Sequence, residues 1–467
     1  CAIVFASRWR REERAVMASA PRAGAAFPWI ALAAAMTAPN AFALATPVAL
    51  ARVPPRASLR TSRITATVNA PKRVRFLFSD TGGGHRASAK ALKGALESMY
   101  PGRVECDMVD LFVESGVFPF SHAPAAYNWM AANPWAWKAF FETGATPMGL
   151  WLNEVLTDAF CGARYRALLA SKPRPDAVIS VHPLMQGPAM RALSSNDGGA
   201  RTTPFATVVT DLGSAHPAWF HPDVDACFVP SDALHTLASE RGLRGSQIVQ
   251  HGLPIRPGFC VEPPSPQDKV EARRHLGLAE DKPTALVVGG GDGMGGLEAV
   301  ATAVGDRLAA TGMDAQVAVI CGRNEAVRAS LSHRSWPSSV DVQCKGFVDN
   351  MDTWMKASDV LVTKAGPGTI AEAASMGLPC VLSAFLPGQE EGNVDFVRES
   401  GFGEFRGSPD AIADTCAGWL GDAKQLETMS ACAAQAARPG ATADIARDIA
   451  ALVLGKDEAL RAVSPAA

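Results

Sequence analysis

Two glycine-rich turns, a histidine and an aspartate carry most of the chemistry legible in this chain. Gly366, Pro367 and Gly368 follow the apolar run Val360-Leu361-Val362-Thr363 and lead into a helix expected over 370–376, opened by Thr369 with Glu372 in its first turn. A glycine turn between a buried strand and a helix leaves backbone N–H groups converging on one spot with the helix dipole behind them; this is an anion site, in α/β proteins usually for phosphate. The second turn reads GGGDGMGG over 289–296 and precedes an amphipathic helix over 297–310. There Gly290, Gly291, Asp292, Gly293, Met294 and Gly295 can wrap amides around a diphosphate without a lysine. It lacks the Gly-Lys-Ser/Thr of a P-loop, which argues against nucleotide hydrolysis. No acidic residue is placed to clasp an NAD ribose.

His85 closes the turn SDTGGGH, with Gly84 before it, at the mouth of an Ala-rich helix over 87–99. The dipole there lowers an imidazole pKa and favours a neutral ring that can accept a proton. Asp211 ends the run FATVVTD and His216 follows five residues on; both can do acid–base work, although a helix cap is the plain alternative for Asp211. Gln389, Glu390 and Asn393 lie in the polar loop PGQEEGN after a strand over 379–382. This sets two polar loops side by side at strand ends, where open α/β sheets bind ligands. A structural turn beside a solvated acidic loop is the competing reading.

The elements that must position these groups alternate strand and helix in both halves, each half starting with strand, glycine turn and helix. This implies an α/β protein of two doubly wound domains facing a cleft. The expected limits are a leader over 1–66, an N-terminal domain over 67–256, a linker over 257–283, a C-terminal domain over 284–455 and a tail over 456–467. Between 111 and 156 fall four of the ten tryptophans, with several phenylalanines. Such a stretch is either the aromatic core of a helical subdomain or a partly exposed surface lying in a membrane interface.

A net charge of −2 gives no global field for nucleic acid. The ten cysteines include no Cys-x-x-Cys, so neither a disulfide framework nor a zinc site is expected. No Asp-x-Asp pair stands at a strand end, and no metal or other cofactor is expected. Residues 1–66 hold nine arginines, no lysine and two acids, the composition of an organelle transit peptide, with a secretory signal as the competing reading. Cys1 is not an initiator, so the sequence is either a piece of a longer chain or is translated from Met17. The leader's apolar stretch, 23–36, is shorter than the roughly 20 residues that span a bilayer.

The strings SDTGGGHRASA, TDLGSAHPAWFHPD, CGRN, GFVDNM, KAGPGTIAEA and PGQEEGN occur in an order that resembles the monogalactosyldiacylglycerol (MGDG) synthases, relatives of the MurG glycosyltransferases. The likeness covers about 73–455, and at Gly213-Ser214-Ala215 the family more often has a bulkier residue. The resemblance implies a GT-B fold and inverting transfer of galactose from UDP-galactose to 1,2-diacylglycerol. It implies His85 in the active site, as base or as a phosphate contact, with Asp211 as the other candidate base. Donor binding then falls to Gly84, His85, Arg256, the 290–295 loop, Cys321, Gly322, Gly346, Phe347 and Val348 around the uracil, and Lys364 with Gly366, Pro367, Gly368 and Thr369 on the diphosphate. Glu372, Glu390 and Asn393 would hold ribose and sugar hydroxyls, and Gln389 would read the galactose. Pro119, Trp129, Trp135, His216 and Trp219 fall to the lipid acceptor side. A monotopic protein of the chloroplast envelope, open to activation by anionic lipid, is the implied setting. A MurG-like transferase for another UDP-sugar or lipid, and a non-catalytic nucleotide-sugar or lipid-binding protein, stay open.

Overall fold

The computed structural model describes residues 70–81, 83–289 and 296–463. The leader, the loop 290–295, and the last four residues of the expected tail lie outside them. Twelve strands are described: β1 Lys72–Phe78, β2 Val104–Asp110, β3 Ala177–Ser180, β4 Phe205–Val208, β5 Ala226–Val229, β6 Ile248–Gln250, β7 Thr284–Val288, β8 Ala315–Ile320, β9 Val340–Lys345, β10 Val360–Lys364, β11 Cys380–Ala384 and β12 Gly403–Phe405. They form two six-stranded sheets in the orders β2-β1-β3-β4-β5-β6 and β12-β11-β10-β7-β8-β9. Every pairing is parallel. Parallel strands connected by helices are covered on both faces, which is why they read as unbroken apolar runs. In β7, Ala285 and Val287 pack to one side while Leu286 packs to the other.

Each sheet reverses its winding once, between β1 and β3 and between β7 and β10. A crevice opens at the carboxyl ends of such strand pairs. His85 follows β1, and the Gly366 turn follows β10, so both stand at these reversals.

Three segments depart from the expected partition. The stretch 257–283 is no free linker. Its helix Pro266–Leu276 starts with a Ser265/Asp268 capping box, and Ala272 and Leu278 enter the C-terminal core. Arg273 clamps Asp359 and the Ala357 carbonyl. Conversely, the helix Ala441–Leu454 buries Ile445, Ala446, Ile449 and Ala450 in the N-terminal core beside Val74, Phe76 and Leu92. Residues Lys456–Val463, within the expected tail, form a further helix, whose Ala459 carbonyl accepts from Tyr100 Oη. The chain therefore crosses back to its first half before it ends.

Between β2 and β3 lie the helices Ala123–Ala131, Pro134–Gly144 and Pro147–Ala170. The buried Arg75 of β1 fastens the last of them, donating to the Leu168 carbonyl and Ser171 Oγ while gripping Asp107.

Candidate active site

On the N-terminal wall the chemistry is held by desolvated, uncharged rings. His85 lies in the first turn of the helix Gly84–Met99, behind Gly83, which has φ +76° and so occupies the left-handed region that glycine tolerates. Its Nδ1 is 2.9 Å from Thr210 Oγ1. Desolvation lowers its pKa to about 4, against the Val181 carbonyl and the Asp80 charge, which raise it. The ring lies 4.8 Å from that of His182 and 5.9 Å from that of Trp219. His182, buried at the end of β3, is 3.2 Å through Nε2 from Thr81 Oγ1 and accepts the Leu184 N–H at Nδ1. Desolvation, then His85 and His216, hold it well below the ordinary histidine value. Sequence reasoning passed over His182, although its place at a strand end beside the winding reversal is the signal that finds it.

Asp211 lies beyond the end of β4. It is buried, accepts Trp219 Nε1–H at 2.7 Å on Oδ2, and accepts the Gln389 amide of the other half at 3.2 Å on Oδ1. Desolvation pushes its pKa to about 7, although both hydrogen bonds pull down; the Glu390 charge adds to the rise. Asp211 is thus no helix cap: its carboxylate is spent on a ring N–H and an interdomain amide. Trp219 is fully buried, a wall of the site rather than a surface. His216 accepts the Ala218 N–H at Nδ1. Desolvation, with the Arg241 charge, lowers it to about 4 against a hydrogen bond to the Phe141 carbonyl.

The C-terminal wall keeps its charges and pairs them. Lys364 ends β10 and meets Glu390 Oε1 at 2.6 Å, while Glu390 Oε2 accepts the Leu386 N–H. Desolvation works to lower the ammonium, but Glu390 outweighs it and Lys364 sits above the ordinary lysine value. The following helix, Pro367–Ser375, begins earlier than expected, with Pro367 at its first position, where a missing N–H costs nothing. The first free donors are therefore the amides of Gly368 and Thr369, and a Cβ at Gly368 would meet nothing within 4 Å. Glu372 consequently falls in the second turn. Its carboxylate takes Arg256 in a bidentate grip at 2.6 and 2.7 Å, an ion pair that spans the two halves. At the ends of β8 and β9, the buried Cys321 donates its N–H to the Lys345 carbonyl at 2.8 Å. This sets Cys321 and Gly322 beside Gly346, Phe347 and Val348. The Phe347 ring is 67% exposed, with Arg323 at 6.0 Å from its centroid, a flat face open to a planar group.

The two walls touch. Gly213 N–H donates to Asn393 Oδ1, and Asn393 Nδ2 donates to the Ala365 carbonyl, each at 2.9 Å. Ser214 Oγ donates to the Gln389 carbonyl and accepts the Gly392 N–H. A Cβ on Gly213 would overlap the Gly392 carbonyl, and one on Gly392 the backbone of Gly213. Asn393 is not in a loop but in the first turns of the helix Glu391–Glu399, fully buried. Gln389 Oε1 is buried without a partner among the described residues.

The helices over 123–170 face both ways. Trp129 is 40% exposed and Trp135 is 61% exposed, and Phe118, next to Pro119, is exposed with Trp151 and Phe160. Tyr127, Trp137 and Phe141 instead turn inward as successive ring contacts. Burial raises the Tyr127 phenol to about 12, with Lys364 opposing and Glu390 and Asp211 adding, so this helix reaches the charged centre. Tyr127 was not visible as a site residue in the sequence. Among the described residues no three His, Cys, Asp or Glu side chains gather as metal ligands, and no helix is long and apolar enough to cross a membrane.

Similar proteins agree with this architecture. MurG of Acinetobacter baumannii superimposes with a TM-score of 0.51 at 17% identity, covering 81% of this chain and 99% of that one. A UDP complex of S. aureus MnaA gives 0.51 at 14%, covering 82% and 97%; at such identities the likeness is one of fold. A profile described as glycosyltransferase family 28 C-terminal domain matches 284–395, and one described as MGDG synthase matches 85–255. Monogalactosyldiacylglycerol synthase 1, chloroplastic, of Arabidopsis thaliana is 42% identical over 391 residues, 83% of this chain and 72% of that protein. The chloroplastic synthase of Spinacia oleracea is 41% identical over 391 residues, 83% and 74%. With the two-sheet cleft and this identity along most of its length, the chain belongs to the monogalactosyldiacylglycerol synthase family.

Proposed function

We infer that this chain transfers galactose from UDP-galactose to the free hydroxyl of 1,2-diacylglycerol. The observation that carries the reading is the cleft itself: neutral proton-accepting groups on one wall face amide donors and a cation on the other, bridged by Gln389 and Asp211 at 3.2 Å. Inversion requires one displacement. The acceptor oxygen bonds to the anomeric carbon as the bond to the β-phosphate oxygen breaks, and the hydroxyl proton passes to a base. His85 is that base in our reading: it is half-buried rather than sealed, and at neutral pH the ring is uncharged, with one nitrogen unprotonated. Asp211 is the alternative, since a pKa of about 7 suits a base; its oxygens hold Trp219 and Gln389, as His85 Nδ1 meets Thr210.

The leaving UDP gains negative charge. Amides of Gly368 and Thr369 at a helix mouth, with Lys364 exchanging Glu390 for phosphate, are placed to stabilise it. Arg256 and Glu372 hold the two walls together beside the diphosphate. The exposed Phe347 face suits the uracil. The unpartnered Gln389 Oε1 suits a galactose hydroxyl, with Glu390 beside it.

The outward aromatics around Trp129 and Trp135 suit a membrane interface, where an indole is half wet and half apolar. We assign Pro119 and these tryptophans to peripheral, monotopic docking on the chloroplast envelope, with anionic lipid as an activator; the relatives' chloroplastic names support that setting. The test is transfer of label from UDP-galactose to diacylglycerol in mixed micelles. Labelled lipid from UDP-N-acetylglucosamine alone would overturn the donor assignment.

A further inference from the structure

The loop that presents Gln389 and Glu390 closes on itself through Leu386 and Glu390, and it also leans on the other half of the molecule. Gly388 has φ +80°, and a Cβ built there would lie 2.6 Å from Phe141 Cδ1 and 3.0 Å from Cε1. The Phe141 ring is therefore seated directly on the backbone of the residue before Gln389. The same ring stands edge-on to His216 at 5.0 Å. His216 accepts the Ala218 N–H at Nδ1, which puts its ring proton on Nε2. The loop over 211–219 is in turn tied to Gln389 through Asp211 and Ser214. Three segments thus meet in a closed triangle: the helix Pro134–Gly144, the loop after β4 and the loop after β11. Phe141 is the corner that joins the helix to the other two.

We propose that Phe141 is a positioning residue for the donor sugar, fixing through Gly388 where Gln389 and Glu390 meet the galactose. The proposal rests on the galactosyltransferase reading above. The ring packs on Gly388, His216 and Trp137 rather than on the Gly366–Thr369 turn or the Phe347 face, so its contribution falls on the hexose and not on the UDP. Removing it frees the Gly388 backbone to shift. A displacement near 1 Å of a group that positions substrate can cost about a hundredfold in rate.

The test is calorimetric affinity for UDP-galactose and for UDP, together with kcat in micelles, for the unmodified chain, Phe141→Ala and Phe141→Leu. We expect Phe141→Ala to weaken UDP-galactose about tenfold and to lower kcat, with UDP affinity within about twofold and the melting temperature measured alongside. Phe141→Leu, which still fills the space under Gly388, is expected to restore most of the loss. Equal weakening of UDP and UDP-galactose, as a general loss of structure would give, overturns the proposal; so does no change in either. Failure of the unmodified chain to transfer galactose overturns instead the functional reading, and with it the identity of the sugar being positioned.

Discussion

The two walls of the cleft follow opposite electrostatic plans. On the N-terminal side, His85, His182 and His216 are driven toward the neutral state and Asp211 is driven toward protonation, all chiefly by desolvation. On the C-terminal side, Lys364 stays charged because Glu390 stands 2.6 Å away, and Glu372 holds the guanidinium of Arg256, which reaches over from the first half, at the same distance. The difference suits the two halves of one displacement. A proton is best accepted by a group that is unprotonated beforehand, whereas an incoming diphosphate is best met by cations whose present partners it can replace.

The largest expected effect breaks the first wall. His85→Ala should lower kcat by about 10²- to 10⁴-fold while the KM for UDP-galactose moves little, as steady-state assays would read. A KM effect with kcat retained would move His85 to the phosphate. Next, Lys364→Met should raise that KM by about 10- to 100-fold, the worth of a charge-assisted hydrogen bond, with a smaller change in kcat. Gly213→Ala sharpens the comparison by prying the walls apart. Its backbone is unstrained, so the whole effect is steric against Gly392; overpacking of about 1–3 kcal/mol should lower kcat/KM about tenfold without loss of the fold by circular dichroism.

Smaller still in a micellar assay is the double change Trp129→Ser, Trp135→Ser. It should weaken vesicle binding about tenfold or more, given about 1.5–3 kcal/mol per buried large side chain, and leave micellar turnover within about twofold. The smallest effect is in the pH profile. With His85 as base, the accepting form exists above pH about 4, so kcat/KM should vary less than about threefold between pH 5 and 7. A fall of about tenfold per unit below 7 that Asp211→Asn abolishes would make Asp211 the base. Stability carries the matching sign. The native Asp211 carboxyl holds its proton up to about 7, so its contribution is full below the unfolded value near 4 and is lost as pH rises toward 7.

What the sequence made legible is local. Strand, glycine turn and helix are adjacent in the chain, so residue order alone places His85 and Gly366–Thr369 at helix mouths. The partners of these groups are not local. Arg256 reaches Glu372 across 116 positions and Gly213 reaches Asn393 across 180, and no periodicity encodes either. Expected as ligands of the donor, Arg256 and Glu372 hold each other here, and Asn393 has both ends of its amide engaged. The helix Ala441–Leu454 shows an apolar stripe, which says that it packs but not on which sheet. The aromatic stretch over 111–156 left a core and a membrane face as alternatives. Both are present, since inward Phe141 and outward Trp135 lie on one helix, and a string of residue types has no direction in space.

A crystal structure with UDP bound tests the division between the walls most directly. The diphosphate is expected within hydrogen-bond distance of the Gly368 and Thr369 amides, with Lys364 turned from Glu390 toward phosphate and His85 facing the vacant sugar position without touching phosphate. A diphosphate held by His85 and the N-terminal glycine turn, with the Lys364–Glu390 pair undisturbed, would contradict that division.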